Sequence, residues 1–414
     1  MPKMATKLTF GNTIADWQER IDVSRMRAER AERARQVMRK YNIPVVLDAT
    51  EKGIRYVCGL RADAAYDPQV RYVLFFADHD PVVFEHAGIF HQMPHEAPWI
   101  KNWRIARSWL GYTCGPDASE EEAKLFAADI YGEIKERGLA GEPLGIIGID
   151  HLGVAALEAL KLHCVPAKPM MMEAHSIKTK DEINCFKMVA AIVESAGYRI
   201  WEALKPGIRD TDLDIVIAKA LSEAGADKVI SPWKFSGPGT FERGLTNTGR
   251  LIQTGDLFYV ALCGITFLGY KSCFYRTFIT GRKPNDREND WNKRVLERVN
   301  NVIDAIKPGG TTADAAKHLT PAKTWGYKDE AEVLTVEFGH GLALYSGYDQ
   351  PIINRQWSLN HPQVFEPGMV MALECLEGEH RVGGVRLEDM FVITDQGAEI
   401  ITHMPREEIL VAPL

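Results

Sequence analysis

The sequence has little that would tie it to a membrane or to a nucleic acid. Its apolar stretches all fall short of the roughly 20 residues that a membrane-spanning helix needs, and the N-terminus lacks the apolar core of a signal peptide. A net charge of −7 and a pI near 6.0 argue against the basic face that binding to a phosphate backbone requires. We therefore expect a cytoplasmic protein with no membrane partner and no nucleic-acid partner.

Cysteine is scarce and scattered. The 414 residues contain seven cysteines, an odd number, without the spacing of a zinc motif or of a disulfide framework. This pattern favours free thiols in a reducing compartment. The chain also lacks internal repeats and low-complexity linkers, and its length predicts two domains.

The first part of the chain alternates helical and extended patterns. Helical patterns cover residues 25–41, 49–57, 119–137 and 153–162, and apolar strand patterns cover residues 44–47, 71–77, 81–86 and 144–149. Such alternation predicts an α/β domain over residues 1–168. Residues 169–176 include three consecutive methionines and have neither a helical nor a strand periodicity of apolar residues. We expect them to form a linker.

A second domain, residues 177–414, begins with helices and continues with strands. Helical patterns cover residues 181–204, 210–225 and 289–306. The first and third of these patterns end at Lys-Pro-Gly, which stops a helix and indicates a pseudo-duplicated arrangement. Strand patterns with Gly-rich turns follow from residue 231 onward, so the fold class predicted for the chain is α+β.

Three polar residues of the second domain have the types that an acid–base or metal site needs. His340 lies between two glycines that permit close backbone approach to a ligand. Glu374 lies in a nearly unbroken apolar run, where a carboxylate must be paired or have a shifted pKa, and Glu388 follows on the next strand pattern. We predict these three as catalytic residues. The alternative for Glu374 is a structural ion pair with Arg386 or Arg276.

Several blocks around these residues resemble the family of creatinase, aminopeptidase P and methionine aminopeptidase, whose catalytic domain is the pita-bread fold. The blocks lie in the expected order at residues 177–182, 204–207, 254–256, 269–270, 276–278, 339–341, 366–370 and 386–389. The resemblance covers roughly residues 177–405. It implies a pita-bread catalytic domain after an N-terminal lid domain, a small-molecule substrate and a homodimer. The residues of the lid expected to reach the pocket are Arg61, Tyr66, His91 and Trp99.

The resemblance also implies where metal ligands would lie. In the metal-dependent members, two Asp, one His and two Glu hold two divalent ions, and the corresponding positions here are Ala261, Cys273, His340, Glu374 and Glu388. Two cations a few ångströms apart need anionic ligands between them, so losing both aspartates argues against a two-ion centre. We predict no metal and no cofactor. A single ion on His340, Glu374, Glu388 and Cys273 is the alternative, since zinc accepts N, O and S donors.

Thiols and aromatic rings fill the positions around the lost aspartates. Thiols react only as thiolates, and rings stack on a substrate or hold a cationic group, although both also serve as core packing. The residues predicted to bind the substrate are Cys263, Cys273, Tyr275, Trp233, Phe235 and Tyr259.

Creatinase is the family precedent for a metal-free reaction at a C–N bond, but this chain departs from it. No histidine occurs between His175 and His318, where the catalytic histidine of creatinase would fall, and Tyr275 replaces its guanidinium-binding glutamate. The related dimethylsulfoniopropionate lyase has a catalytic Asp after the Gly-His turn, and the corresponding position in this chain is at or near Ser346. We therefore predict a metal-independent hydrolase or lyase that cleaves a C–N bond of a small polar molecule other than creatine. The alternatives are a lyase or peptidase with one metal ion and a non-catalytic binding protein.

Overall fold

The computed structural model describes residues 3–4, 21–61, 70–227, 229, 232–242, 247–334, 336–345 and 347–412. The chain divides into two compact units, one of residues 23–175 and one of residues 1–22 and 176–414. In the sequence-based prediction, the first domain ends at residue 168 and the second begins at residue 177, and the role of the first as a lid stays a prediction.

The first unit is built on a mixed sheet. A short strand of the second unit, β1 (Lys3–Met4), precedes it, and its own strands are β2 (Val45–Asp48), β3 (Arg71–Phe76), β4 (Val82–Glu85), β5 (Asn102–Ile105), β6 (Pro143–Ile147) and β7 (His163–Pro166). The strand order is β5-β4-β3-β2-β6-β7. The β2–β3 and β3–β4 pairs are antiparallel, and the other pairs are parallel.

Helices accompany these strands, as the sequence pattern predicts. They are α1 (Val23–Tyr41), α2 (Glu51–Cys58), α3 (Met93–Glu96), α4 (Pro116–Glu136), α5 (His151–Ala159) and α6 (Lys168–Ser176). Helix α2 begins where the Thr50 side chain accepts a hydrogen bond from the Gly53 amide, and it ends at Gly59 with φ of 73°. One core, with Leu47, Phe126 and other apolar residues fully buried, joins sheet and helices.

Helix α6 occupies the segment predicted as a linker. Pro169 is tolerated in its first turn, and methionine is a good helix former. Met170, Met171 and Ala174 are buried, so the helix packs one face against its own unit. The segment with the three methionines, predicted as a linker, therefore forms a packed helix.

The second unit combines long helices with a large sheet. Its helices are α7 (Lys180–Ala203), α8 (Leu213–Glu223), α9 (Asp286–Ala305), α10 (Thr312–Ala316) and α11 (Arg355–Asn360). Helices α7 and α9 begin at capping boxes, in which Thr179 and Asn285 exchange hydrogen bonds with the glutamates three residues later. These boxes explain why both helices begin where they do.

The strands of this unit form one main sheet. They are β8 (Trp233–Ser236), β9 (Leu257–Ala261), β10 (Thr266–Phe267), β11 (Tyr270–Lys271), β12 (Tyr275–Thr280), β13 (Phe338–Gly341), β14 (Asp349–Ile353), β15 (Val370–Glu379), β16 (Gly383–Thr394), β17 (Gly397–Ile400) and β18 (Leu410–Ala412). The order of the main path is β14-β13-β15-β16-β12-β9-β8, with β17 beside β16 and β18 beside β12. Strands β10 and β11 form a separate hairpin. Helices and a mixed sheet in this arrangement confirm the predicted α+β class.

Helices cover one face of this sheet. Val295 and Val299 of α9 share a core with Leu373 and Leu387, and Val193 of α7 lies in a second core with other strand residues. Because side chains alternate along a strand, the neighbours of these core residues point to the opposite face. In the described part of the chain, no helix is long and apolar enough to cross a bilayer.

Candidate active site

One row of side chains crosses the main sheet on the face away from the helices. Trp233 lies opposite Ala261, Ala261 opposite Tyr275, Tyr275 opposite Glu388, and Glu388 opposite Glu374. Directly opposite residues of paired strands point to the same side. The sheet register therefore brings together residues that lie as much as 155 positions apart in the sequence, since 388 minus 233 is 155.

Neighbouring rows on the same face supply the other site residues. Phe235 pairs with Tyr259, two residues along from Trp233 and Ala261. Beyond β9 and β12 the ladder continues, because the amide of Leu262 donates to Phe274 and that of Gly264 to Ser272. The residues predicted from the sequence that share this face are His340, Glu374, Glu388, Cys263, Cys273, Tyr275, Trp233, Phe235 and Tyr259.

Two thiols and a carboxyl group converge at one point of this face. The Sγ atoms of Cys263 and Cys273 lie 2.9 Å apart, and Cys263 Sγ lies 3.5 Å from Glu388 Oε2. Their donor atoms all lie within 4.8 Å of one another. Glu388 is fully buried, and its Oε1 has no hydrogen-bond partner among the described residues. We call these three residues the Glu388 cluster.

His340 presents a ring nitrogen to the same carboxyl group. Its Nδ1–H donates to the carbonyl oxygen of Gly341 at 3.1 Å, since a carbonyl only accepts. Its Nε2 then carries a lone pair and lies 3.8 Å from Glu388 Oε1. Burial, with a smaller contribution from Lys271, lowers the pKa of His340 to about 3, so the imidazole is neutral near pH 7.

The charges on this face repel one another. Burial, followed by Cys263 and Glu374, holds the pKa of Glu388 well above its usual range. The hydrogen bond to Cys263 and then burial raise the pKa of the Cys273 thiol, and burial followed by Glu374 raises that of Tyr275. Two carboxyl groups directly opposite each other also disfavour double ionisation. The face therefore favours a bound proton or a bound cation.

The arginines considered as ion-pair partners of Glu374 are engaged elsewhere. Arg276 Nη2 lies 2.7 Å from Asp389 Oδ1. Arg386 donates to the carbonyl oxygens of Thr240 and Phe241, and its guanidinium lies 5.2 Å from the ring centroid of Tyr259. These contacts stabilise the sheet and its loops. We therefore assign neither arginine as the ion-pair partner of Glu374.

Two residues that the sequence did not single out flank His340. The ring centroid of Tyr348 lies 4.3 Å from that of His340, and Lys271 Nζ lies 4.7 Å from the Tyr348 centroid. Lys271 also donates to the carbonyl oxygen of Gly347. The available signal was the pair Tyr345 and Tyr348, which follows the Gly-His-Gly turn after three aliphatic residues.

The residues nominated from the lid have contacts within their own unit. Trp99 Nε1 donates to the Cys58 carbonyl at 2.8 Å, and the guanidinium of Arg27 lies 4.0 Å from its ring centroid. His91 packs edge-on against Phe90, and the Arg61 carbonyl accepts from Arg71. Tyr66 and Ser346 lie outside the described residues. A role for the lid residues in the pocket stays a prediction.

The donor set does not fit two hard ions, and it does fit one ion. Ala261 offers no ligand atom where a bridging carboxylate is needed, and Cys273 offers sulfur in place of oxygen. The Glu388 cluster offers two sulfurs and a carboxylate oxygen within the reach of a single ion, and Glu388 Oε1 lacks a hydrogen-bond partner among the described residues. The single-ion set expected from the sequence was His340, Glu374, Glu388 and Cys273. The group of possible donors that the structure forms contains Cys273 and Glu388 with Cys263, and it does not contain His340 or Glu374.

Comparison with known proteins gives a consistent family. Residues 184–395 match metallopeptidase family M24. An uncharacterized peptidase of Bacillus subtilis (strain 168), YqhT, is 31% identical over 256 residues, 60% of this chain and 68% of the relative. Creatinase of Bacillus sp. (strain B-0618) is 26% identical over 254 residues, 58% of this chain and 60% of the relative. The structure of dipeptidase PepE from Mycobacterium ulcerans has a TM-score of 0.74 at 21% identity, over 95% of this chain and 100% of that chain.

A helix-backed sheet that presents histidine and glutamates on its open face defines an enzyme of the pita-bread class, and its relatives make it a hydrolase. More specifically, the chain belongs to metallopeptidase family M24. This confirms the predicted family, which includes creatinase and aminopeptidase P.

Proposed function

We propose that this protein hydrolyses a C–N bond of a small polar molecule on the face that carries Glu388. The observation that carries the proposal is the convergence of Glu374, Glu388 and the lone pair of His340 on one buried patch of the sheet. Family M24 membership and a relative that is named a peptidase favour an amide or peptide C–N bond. We expect no turnover of creatine, because Tyr275 is buried where a guanidinium-binding carboxylate would be needed.

The role of each residue in hydrolysis follows from its protonation state. Water must lose a proton as its oxygen attacks the carbon, and the leaving nitrogen must gain one. Glu374 and Glu388 face each other directly, so one of them holds a proton that it can give to the nitrogen, and the other, ionised, can take the proton from the attacking water. The neutral His340 orients the reacting groups through Nε2, since Gly341 fixes the position of its ring. Tyr275 and Tyr259 form the apolar wall beside them and exclude water.

Two versions of this reaction differ in whether an ion takes part. The sequence favoured a metal-independent version, and the donor geometry supports the single-ion alternative because two thiols and a carboxyl group converge. Cys263, Cys273 and Glu388 would hold the ion, which would act as a Lewis acid and lower the pKa of a bound water. The proton held by the Glu374 and Glu388 pair and the orientation of His340 serve both versions.

A substrate panel measured by mass spectrometry in ¹⁸O-labelled water tests the proposal. The panel contains dipeptides, small amides and guanidino compounds. We expect one product with a single ¹⁸O for a hydrolase, whereas a lyase gives products without the label. Glu388→Gln and His340→Ala should each reduce the rate at least ~100-fold, because each removes a reacting or orienting group. Cys375→Ala, on the helix-covered face, serves as the matched control and should retain the rate.

The outcome with chelator separates the two versions. Full activity after treatment with a chelator supports the metal-independent reaction, and loss that is restored by an added ion supports the other. Turnover that persists in a Glu388→Gln, His340→Ala double variant would sink the proposal. Binding of a panel compound without any turnover would favour the non-catalytic alternative.

A further inference from the structure

The Glu388 cluster contains two sulfur donors, Cys263 and Cys273, at positions where the family resemblance implies carboxylates. We propose that Cys263, Cys273 and Glu388 form a binding site for one soft divalent cation of the zinc class, in place of the hard ion pair. The inference rests on the single-ion version of the proposed function, whose location and donor set it shares, and it adds the class of ion. Ion binding is measured without any substrate, so either proposal can fail alone.

The sheet register places the two thiols without rearrangement of the backbone. Cys263 and Cys273 lie between two pairs joined by hydrogen bonds, Leu262 with Phe274 and Gly264 with Ser272. Opposite residues at such a position have closely spaced side chains. Both sulfurs therefore point to one spot, which is the pre-organisation that a metal site requires.

The distances match the scale of a tetrahedral site. Two ligands about 2.3 Å from one zinc ion are separated by about 3.8 Å in a tetrahedron. The spacings here are 2.9 Å between the sulfurs and 3.5 Å between Cys263 Sγ and Glu388 Oε2, with all donors within 4.8 Å. Small rotations of the side chains therefore bring the set to that geometry.

The buried carboxyl group supplies an independent indication of a ligand. Glu388 is fully buried, and its Oε1 has no hydrogen-bond partner among the described residues. A buried polar atom left in this way is unfavourable unless something binds it. His340 Nε2 faces the same oxygen at 3.8 Å, with its lone pair free of the Gly341 contact. An ion on the cluster satisfies the charge of Glu388 and leaves one coordination position for water.

The sulfur donors set the preference among ions. Thiolates select zinc, cobalt and other softer ions, whereas manganese and magnesium prefer oxygen ligands. A site with Cys263 and Cys273 therefore discriminates against the hard ions that a carboxylate-rich centre binds.

The test uses the full-length protein, stripped of metal with a chelator under reducing conditions and then titrated with Co²⁺. We expect one ion per chain by elemental analysis and a near-ultraviolet sulfur-to-cobalt charge-transfer band. Zn²⁺ should displace the cobalt at a concentration at least ~100-fold lower than Mn²⁺ does.

Variants connect the signal to the cluster. Cys263→Ser and Cys273→Ser should each lose the charge-transfer intensity and most of the affinity, and Glu388→Gln should weaken binding while leaving a sulfur signal. Cys375→Ala is the matched control, because this buried thiol lies on the helix-covered face, and it should bind as the unmodified protein does. Cys273→Asp should shift the preference toward Mn²⁺, and circular dichroism reports the folding of each variant.

Several results would overturn the inference. They are a folded, reduced protein that binds no Co²⁺, a cobalt spectrum without sulfur character, and equal displacement by Mn²⁺ and Zn²⁺. A Cys263–Cys273 disulfide in freshly isolated protein, detected by peptide mass spectrometry, would assign the thiol pair to redox chemistry and also overturn it.

Discussion

Glu388 and Asp389 are neighbours in the sequence with opposite roles in the structure. Glu388 points to the site face, where its pKa is held high by burial, Cys263 and Glu374. Asp389 is also fully buried, but Arg276 and Arg406 lie 2.7 and 2.8 Å from its oxygens. Although burial opposes it, these arginines lower the pKa of Asp389. One carboxyl group is thus available for chemistry, and the next stabilises the sheet.

Neutral isosteres at these two positions should therefore change the free energy of unfolding by different amounts. In chelator, Glu388→Gln should change the free energy of unfolding by less than about 1 kcal/mol, because the raised pKa of Glu388 favours the uncharged form that glutamine resembles. Asp389→Asn should cost about 3 kcal/mol, since it leaves Arg276 and Arg406 buried without their counter-charge. Chemical denaturation followed by fluorescence measures both. Equal losses would contradict the division of roles.

At the same scale, the sequence singles out His340 by its flanking glycines and Glu374 by its apolar run, and Glu388 follows on the next strand pattern. The catalytic role of these three residues stays a prediction. It could not predict that Cys263 joins Cys273 and Glu388 as the donor set. That grouping depends on side-chain rotation and on cross-strand register beyond the ends of β9 and β12. Neither of these can be read from the spacing of residues.

At the scale of elements, the junction between β2 and α2 depends on one glycine. A Cβ added at Gly53 would lie 1.8 Å from Asp48 Oδ2, and Asp48 is buried. Asp48 in turn accepts hydrogen bonds from the amide and hydroxyl of Thr50, the residue that caps α2. The strand end and the helix start therefore form one unit.

Replacing this glycine should separate steric effects from helix propensity. Gly53→Ala should destabilise the first unit by at least ~2 kcal/mol, because a buried carboxyl group cannot move aside. Gly132→Ala in α4 is the matched control, since nothing lies within 4 Å of the added Cβ. That control should stabilise the unit by about 0.5–1 kcal/mol. Thermal unfolding compares the two, and a neutral Gly53→Ala would disprove the steric argument.

The same junction should make stability depend on pH. Burial raises the pKa of Asp48 to about 6, although hydrogen bonds from Thr50 and the charge of Lys52 oppose it. The folded state then binds this proton more tightly than the unfolded state, so the free energy of unfolding falls as pH rises from about 4 to about 6. The loss from this group should be about 3 kcal/mol, with no further change above that range.

Asp48→Asn provides the control for this pH dependence. The amide oxygen still accepts from Thr50, and the side chain no longer titrates. Denaturant unfolding at a series of pH values should therefore show a flatter profile for the variant between pH 4 and 6. Identical slopes for both proteins would assign the pH dependence to other groups.

Helix and strand periods predicted most elements, because these have apolar residues at regular spacing. One exception is residues 168–176, where Met170, Met171 and Ala174 are all buried on a short helix. Nine residues contain too few turns for a period to be recognised. Packing against the rest of the unit, which the local sequence does not reveal, determines this helix.

At the scale of the whole molecule, the two units have separate hydrophobic cores. The core around Leu47 and Phe126 lies in the first unit, and the cores around Val299 and Val193 lie in the second. Each unit also has a sheet of its own. We therefore expect the stability of each unit to respond to its own substitutions.

Calorimetry of the variants described above tests this independence. Gly53→Ala should lower the melting temperature of the transition that belongs to residues 23–175, and Asp389→Asn should lower the other. Hydrogen exchange measured by mass spectrometry assigns each transition to its unit. A single transition that both variants shift equally would show that the units unfold together. The predicted homodimer remains to be measured by light scattering.

Alternation along the strands has a consequence for how such a protein changes over time. On β15 and β16, Leu373 and Leu387 belong to the helix-covered core, and their neighbours Glu374 and Glu388 point to the candidate site face. Substitutions such as alanine, cysteine or tyrosine for a ligand can therefore accumulate on one side of a strand while selection on packing acts on the other. A lineage can in this way exchange one reaction for another without passing through unfolded ancestors.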